Sequence, residues 1–173
     1  MYVFFTERVE FYLREARGQA YDVVKAVMAP GHNDVRDAVA RAEAVTAVRS
    51  SEDFAAVSAA FKRMKNILTQ ATEKGIAASG QLSEALFKSP AEAELNGKAR
   101  RLAVQVAELR AGGNYVGALE AIASLRPQVD GFFDAVMVMD PDEAIRANRL
   151  ALLGRVLSDF SGIADFGEIV TAG

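Results

Sequence analysis

The spacing of apolar residues constrains this chain more than any other feature. They recur at intervals of three and four, which is the period of an amphipathic helix, and the alternation typical of half-buried strands is nearly absent. The pattern therefore predicts an all-α fold, a helical bundle, with strand content near zero. We predict helices over residues 3–17, 20–28, 34–49, 52–73, 90–111, 114–138 with a bend at Pro127, and 141–160, and a short helix over 162–171.

Length and charge predict one soluble domain. The chain has 173 residues, enough for a single domain that buries a substantial core without disulfides or metal ions. No stretch resembles a signal peptide or a membrane span, because the apolar run over residues 132–139 is short and contains Asp134. The net charge is −3, so binding to nucleic acid requires a local basic face.

Capping residues mark three helix starts. In residues 89–92 a serine stands at the N-cap, a proline at the first helical position and a glutamate at the third. Residues 140–143 repeat this scheme with Asp140 as the cap, and Ser50 with Asp53 forms the third candidate. Glycines at 31, 112 and 113 are expected to end helices. The segment 74–90 is rich in glycine and serine, which predicts an internal mobile loop.

The residues needed for common catalytic sites are missing. There is no cysteine and a single histidine, His32, which excludes Ser-His-Asp triads, cysteine nucleophiles and paired-histidine metal sites. His32 lies just before the predicted cap Asp34 and is interpreted as a solvated loop residue. Residues 92–98 do not form a phosphate loop, since Glu92 occupies the position of its first glycine. We therefore predict no catalytic residue, no metal ion and no cofactor in this domain.

The helix predicted over residues 52–73 carries a row of hydrogen-bond donors. Its narrow apolar seam consists of Phe54, Val57, Phe61, Met64 and Leu68. At about 100° per residue, Lys62, Asn66 and Thr69 line one flank of this seam. Lys65 stands at its edge, and Arg63 falls on the far side. Such a row suits phosphates or base edges, and the alternative is a solvated flank whose lysine stems cover apolar surface.

Two arginines interrupt the apolar sector of the last long helix. Arg149 projects into its middle, and Arg146 lies beside two leucines. A guanidinium among apolar side chains is costly unless it is paired or meets a partner. Upstream, Asp130 and Asp134 stand four residues apart and repel slightly unless a cation lies between them. We interpret Asp130, Asp134 and Arg149 as a structural network in which Arg149 pairs with Asp134. The alternative is that Arg146 or Arg149 faces RNA.

Several blocks of residues, in a fixed order, resemble one family. Residues 61–68 (FKRMKNIL) resemble a helix in the C-terminal domain of the bacterial glycyl-tRNA synthetase β subunit. Residues 132–139 (FFDAVMVM) and 145–153 (IRANRLALL) resemble its most distinctive block, and the resemblance extends from about residue 4 to residue 166. Residues 143–146 (EAIR) stand where such domains carry an Asp-Ala-Leu-Arg signature, with Glu for Asp and Ile for Leu.

This resemblance implies a DALR-type anticodon-binding domain over residues 1–173, forming the C-terminal part of a longer β chain. It implies that the domain recognises the anticodon arm of glycine tRNA, while the α subunit carries out aminoacylation with ATP and Mg²⁺. The implied partners are glycine tRNA, the α subunit and the rest of the β chain, in the cytoplasm and without a membrane. The isolated domain is not expected to be catalytic.

The resemblance and the spacing together assign a set of side chains to RNA. The candidate RNA contacts are Lys62, Lys65, Asn66, Arg146, Arg149, Arg8 and Arg14. The aromatic candidates for stacking on unpaired bases are Tyr12, Tyr21 and Tyr115. The alternative is a purely structural module that packs against the rest of the synthetase without touching RNA, which the acidic balance favours.

Overall fold

The computed structural model describes residues 2–30 and 34–169, and within them all regular secondary structure is helical, with no strand. The all-α prediction is therefore confirmed. Eight α-helices lie in the described part, over Tyr2–Phe11 (α1), Tyr21–Met28 (α2), Val35–Val48 (α3), Glu52–Glu73 (α4), Pro90–Ala111 (α5), Tyr115–Ala123 (α6), Arg126–Ala135 (α7) and Glu143–Phe160 (α8). A π-helical turn, Tyr12–Ala16, continues α1, and short 3-10 turns lie at Glu84–Leu86 and Phe166–Glu168.

The helix predicted over residues 114–138 is two helices in the structure. The break falls just before Pro127, which occupies the first turn of α7 because proline has no N–H to donate there. α7 also ends earlier than predicted, at Ala135, and Val136 adopts an extended conformation. The helix predicted over residues 162–171 is reduced to the 3-10 turn Phe166–Glu168. The last predicted residues, together with Gly31 and His32, lie outside the described residues.

The predicted caps are correct in one case and displaced in two. Ser89 forms the complete capping box at the start of α5. The cap of α8 is Asp142 rather than Asp140, because the Asp142 carboxylate accepts the free N–H groups of the first turn. The cap of α4 is Ser51 rather than Ser50. At the end of α5, Gly113 has a φ of +75°, the left-handed conformation predicted for this turn.

The core surrounds α4. Its seam packs on α6, α7, α8 and the 3-10 turn Phe166–Glu168. The ring of Phe61 stacks on Phe160 with 6.1 Å between centroids, and Phe166 meets Phe54 edge-on at 5.7 Å. α5 covers α6, α7 and α8 from another side, and α2 and α3 complete the bundle. This packing leaves one long face of α4 in solvent.

Residues 74–89, most of the loop predicted over 74–90, contain only the short 3-10 turn Glu84–Leu86, and hydrogen bonds tie this segment to α8. The N–H of Ser79 donates to the carbonyl of Ala147 at 2.9 Å. The buried Asn148 amide accepts from the N–H of Ser83 at 2.8 Å and donates to the Ser83 carbonyl at 2.9 Å. The mobility of this loop stays a prediction.

Candidate nucleic-acid interface

The exposed face of α4 forms a polar ridge, consisting of Lys62, Arg63, Asn66, Thr69 and Gln70, which we call the α4 ridge. It is opposite the buried seam, so burial of the seam fixes which way the ridge points. Within the described residues, the side chains of Lys62, Asn66 and Gln70 make no hydrogen bond or ion pair with protein groups. Their donors and acceptors are therefore available to a ligand.

Lys65 stands at one edge of this ridge and is committed to the fold. Its Nζ lies 2.6 Å from a carboxylate oxygen of Asp165 and 3.9 Å from one of Glu168. The hydrogen bond with Asp165 raises the pKa of Lys65 above its ordinary value, so the ammonium is retained. The pair ties α4 to the C-terminal turn and neutralises the charge that was predicted to meet RNA.

Arg63 stands at the other edge of the ridge and lies on an aromatic ring. The centre of its guanidinium is 4.1 Å from the centroid of the Phe133 ring. Phe133 in turn meets the buried Phe132 edge-on, with 5.4 Å between centroids. The helical spacing placed Arg63 outside the donor row. The apolar seam alone does not show which side of α4 is covered by α7.

Arg149 is buried, but the predicted pairing with Asp134 is wrong. Its Nε donates to Glu92 Oε1 at 2.9 Å, and its Nη1 contacts Asp140 Oδ2 at 3.1 Å. Asp134 is exposed and forms no ion pair with any described residue, whereas Asp130 lies 3.5 Å from Arg126 one turn earlier. The sequence correctly predicts that this guanidinium needs carboxylates. It does not identify them, because Glu92 is 57 residues away.

Glu92 connects this network to the start of α5. It is fully buried, and its Oε2 accepts from the backbone N–H groups of Lys88 and Ser89 at 2.7 and 2.9 Å. Burial alone raises the pKa of Glu92, but the hydrogen bonds from Arg149 and the two N–H groups more than offset it, so its pKa lies below the ordinary value. One carboxylate thus completes the capping box and neutralises Arg149.

Arg146 and Arg149 together hold the connection between α7 and α8. The Nη1 of Arg149 donates to the carbonyl of Met137 at 2.7 Å, and the Nη1 of Arg146 donates to the carbonyl of Asp140 at 3.1 Å. Arg146 is half-buried, and its Nε is buried without a hydrogen-bond partner. Both arginines were candidate RNA contacts, but in the structure they hold this connection in place. The Met137 side chain of the same connection is exposed to solvent.

The N-terminal candidates are exposed, and each of the two arginines lies beside a tyrosine. The Arg14 guanidinium is 5.6 Å from the centroid of the Tyr21 ring, and Arg8 and Tyr12 line one shallow groove on α1. Tyr115 differs from the other tyrosines: it is half-buried and its hydroxyl bonds to Asp37. Among the tyrosines considered for base stacking, Tyr12 and Tyr21 are therefore exposed beside arginines, and Tyr115 is not.

A second buried arginine, Arg41, was not predicted. It donates to the carbonyls of Val27 and Ile163 at 2.9 and 3.0 Å, and to Asp37 at 2.8 Å. It thereby joins α2 and α3 to the segment that follows α8. The sequence carried a signal, because Arg41 lies on the apolar face of its helix as Arg149 does on its own.

Residues 57–161 match the DALR anticodon binding domain family, a stretch that runs from the second turn of α4 to the end of α8. The chain therefore belongs to that family. The matched stretch contains the whole α4 ridge together with Arg146 and Arg149 of α8, whereas Arg8 and Arg14 lie outside it.

Curated relatives of the chain are glycine–tRNA ligase beta subunits. The chain is 58% identical to the glycine–tRNA ligase beta subunit of Acidobacterium capsulatum, over 98% of this chain and 24% of that protein. It is 43% identical to that of Desulforudis audaxviator, over 95% of this chain and 23% of that protein. It is 42% identical to that of Anaeromyxobacter dehalogenans, over 86% of this chain and 21% of that protein. The resemblance is confirmed, and the chain spans about a quarter of the length of these curated relatives. In the described part of the chain, no helix is long and apolar enough to cross a membrane.

Proposed function

We propose that this chain is the anticodon-arm recognition domain of a glycyl-tRNA synthetase β subunit. It supports glycylation of tRNA by an α subunit, which supplies the ATP and Mg²⁺ chemistry. The observation that carries this proposal is the α4 ridge, where Lys62, Asn66 and Gln70 make no hydrogen bond or ion pair with any described residue. The ridge lies within the part of the chain that matches the anticodon-binding family. The partners are glycine tRNA, the α subunit and the rest of the β chain, in the cytoplasm.

The ridge suits RNA by its chemistry. The Lys62 ammonium is an exposed point charge for a phosphate, and the Asn66 amide one turn later offers donors and an acceptor for a base edge. Unpaired loops expose base edges and faces that duplex RNA hides, so an anticodon loop matches this combination better than a stem does.

A second function, packing against the rest of the β chain, is favoured by the N-terminal part. Phe11 and Tyr12 are 67% and 42% exposed, line the same groove, and lie outside the stretch that matches the family. Large exposed aromatic side chains in a group are typical of an interface. We assign this role to the surface around α1, whereas RNA recognition belongs to the α4 ridge.

Replacing Lys62 by alanine in the whole synthetase is expected to weaken binding of glycine tRNA several-fold. The plot of log affinity against log salt concentration should become shallower by roughly 0.7–0.9, the change expected for one lost phosphate contact. The measurement is a titration of the variant enzyme with glycine tRNA at several salt concentrations.

The matched control is Lys98→Ala, which removes the same charge from α5 instead of α4. It should leave the slope unchanged. Equal slopes for the two variants and the parent enzyme, with all three folded, would remove Lys62 from the interface. Lys65→Ala should lower stability slightly through the lost Asp165 pair, and it should change the slope less than Lys62→Ala does.

A further inference from the structure

We infer that Arg63, lying on Phe133, is a stacking platform for an unpaired nucleobase, an inference that rests on the proposed function. A guanidinium is planar and delocalised, so a base can stack on one of its faces while an aromatic ring covers the other. The distance of 4.1 Å between the guanidinium centre and the ring centroid places the two groups in contact.

The buried core supports the Phe133 ring on which Arg63 lies. Phe132 is fully buried and meets Phe133 edge-on, so the core of the bundle orients the ring that supports the guanidinium. Phe133 itself is half-buried and Arg63 is exposed. The arginine is therefore held by the ring on one side and open to solvent on the other.

The N–H groups of the Arg63 guanidinium have no protein acceptor among the described residues. Within residues 2–30 and 34–169, Arg63 makes no hydrogen bond and no ion pair, unlike Arg41, Arg126 and Arg149, whose guanidinium groups bind carboxylates. An arginine whose only role was to join α4 to α7 would gain more from a carboxylate than from a ring alone. Its donors remain available to the edge of a base or to a phosphate beside it.

The surroundings fit a base rather than a bare phosphate. Asn66 and Gln70 follow Arg63 by about one and two turns on the same exposed face, so two amides stand beside the platform to bond to base edges. Met139 closes the far end, where it lines a small cavity of about 50 Å³ with Ile67, Gln70 and Lys74. The planar guanidinium, the two amides and the apolar Met139 side chain together favour a nucleobase as the ligand.

The test uses the assembled synthetase and glycine tRNA, with Arg63→Lys as the main variant. Lysine keeps the charge but has no plane, so the affinity should fall on the order of tenfold while the salt slope stays the same. Phe133→Leu keeps apolar volume but removes the ring, and it should weaken binding in the same way. Thermal melting of both variants checks that the fold is intact.

The matched control is Arg101→Lys, the same substitution at an exposed arginine on α5, away from the α4 ridge and from the surface around α1. It should bind glycine tRNA as the parent enzyme does. A set of tRNAs, each with an abasic nucleotide at one unpaired position of the anticodon loop, then identifies the stacked base. At one position, losing the base and losing the guanidinium should cost no more together than either does alone.

The platform would be overturned if Arg63→Lys bound glycine tRNA with normal affinity, or if the losses of affinity from Arg63→Lys and from the abasic nucleotide were additive at every position of the loop. It would also be overturned if Arg63→Ala lost affinity and Arg63→Lys did not, because a phosphate contact would explain that result. These outcomes are distinct from failure of the proposed function. If Lys62→Ala weakens binding and Arg63→Lys does not, only the platform fails. If neither variant weakens binding and the anticodon arm can be removed without effect, both proposals fail.

Discussion

Replacing Arg149 by methionine is expected to lower the free energy of unfolding by about 3–5 kcal/mol. Methionine fills the space of the stem, so the loss comes from the charge. Glu92 is left fully buried without its cation, and the carbonyl of Met137 loses its donor. For a domain of this size the melting temperature should fall by about 6–20 °C. Thermal or urea unfolding of the 173-residue chain measures the change.

Three further variants make this prediction specific. Arg155→Met, an exposed arginine on the same helix, should change stability little. Asp134→Asn should also be nearly neutral, since Asp134 forms no ion pair in the described structure, whereas Glu92→Gln should be destabilising. Because the folded-state pKa of Glu92 is lowered, its contribution to stability is present at neutral pH and is lost as the pH falls through that pKa. The Arg149→Met protein should lose part of this acid sensitivity. Equal stability of Arg149→Met and Arg155→Met would contradict the network.

Replacing Arg41 by methionine is expected to cost about 2–4 kcal/mol, because it leaves two buried carbonyls without a donor. These belong to Val27, at the end of α2, and to Ile163, after α8. The segment that follows α8 should therefore open more often than the rest of the fold. Hydrogen exchange should show faster exchange at the N–H of Asp165, which donates to the carbonyl of Ala26 at 2.8 Å.

The control for this experiment is Arg36→Met on the same helix, where the side chain is exposed. It should leave both the unfolding free energy and the exchange at Asp165 near those of the parent. If the Asp165 N–H exchanged as slowly in Arg41→Met as in the parent, the prediction would be wrong. The ion pair between Lys65 and Asp165 would then hold the C-terminal turn without help from α3.

The bounds of a helix could be predicted from the sequence where capping residues or glycines mark both of its ends. α4 has the predicted bounds, Glu52–Glu73, because a serine cap precedes it and a glycine follows it within two residues. The region around Pro127 shows where this fails. The apolar spacing continues across it, so the sequence indicated a bend, and the tight turn that separates α6 from α7 was not visible.

The candidate interface was predictable only in part, because the partners of charged residues are distant in sequence. The helical period identified Lys62 and Asn66 as exposed donors, and this exposure is confirmed. Lys65 looked equivalent, but its partner Asp165 lies 100 residues later, beyond the reach of any local pattern. The same holds for Arg63, since only the packing of α7 on α4 brings Phe133 beneath it.

We propose above that the α4 ridge contacts the anticodon arm of glycine tRNA. The most direct measurement is photocrosslinking from the middle of the ridge, with p-benzoylphenylalanine in place of Asn66 in the assembled synthetase. The same probe in place of Lys98 on α5 gives the background. We expect crosslinks to nucleotides of the anticodon arm at a yield well above that background. Crosslinks confined to the acceptor arm, or a yield from the Asn66 position equal to that from the Lys98 position, would contradict it.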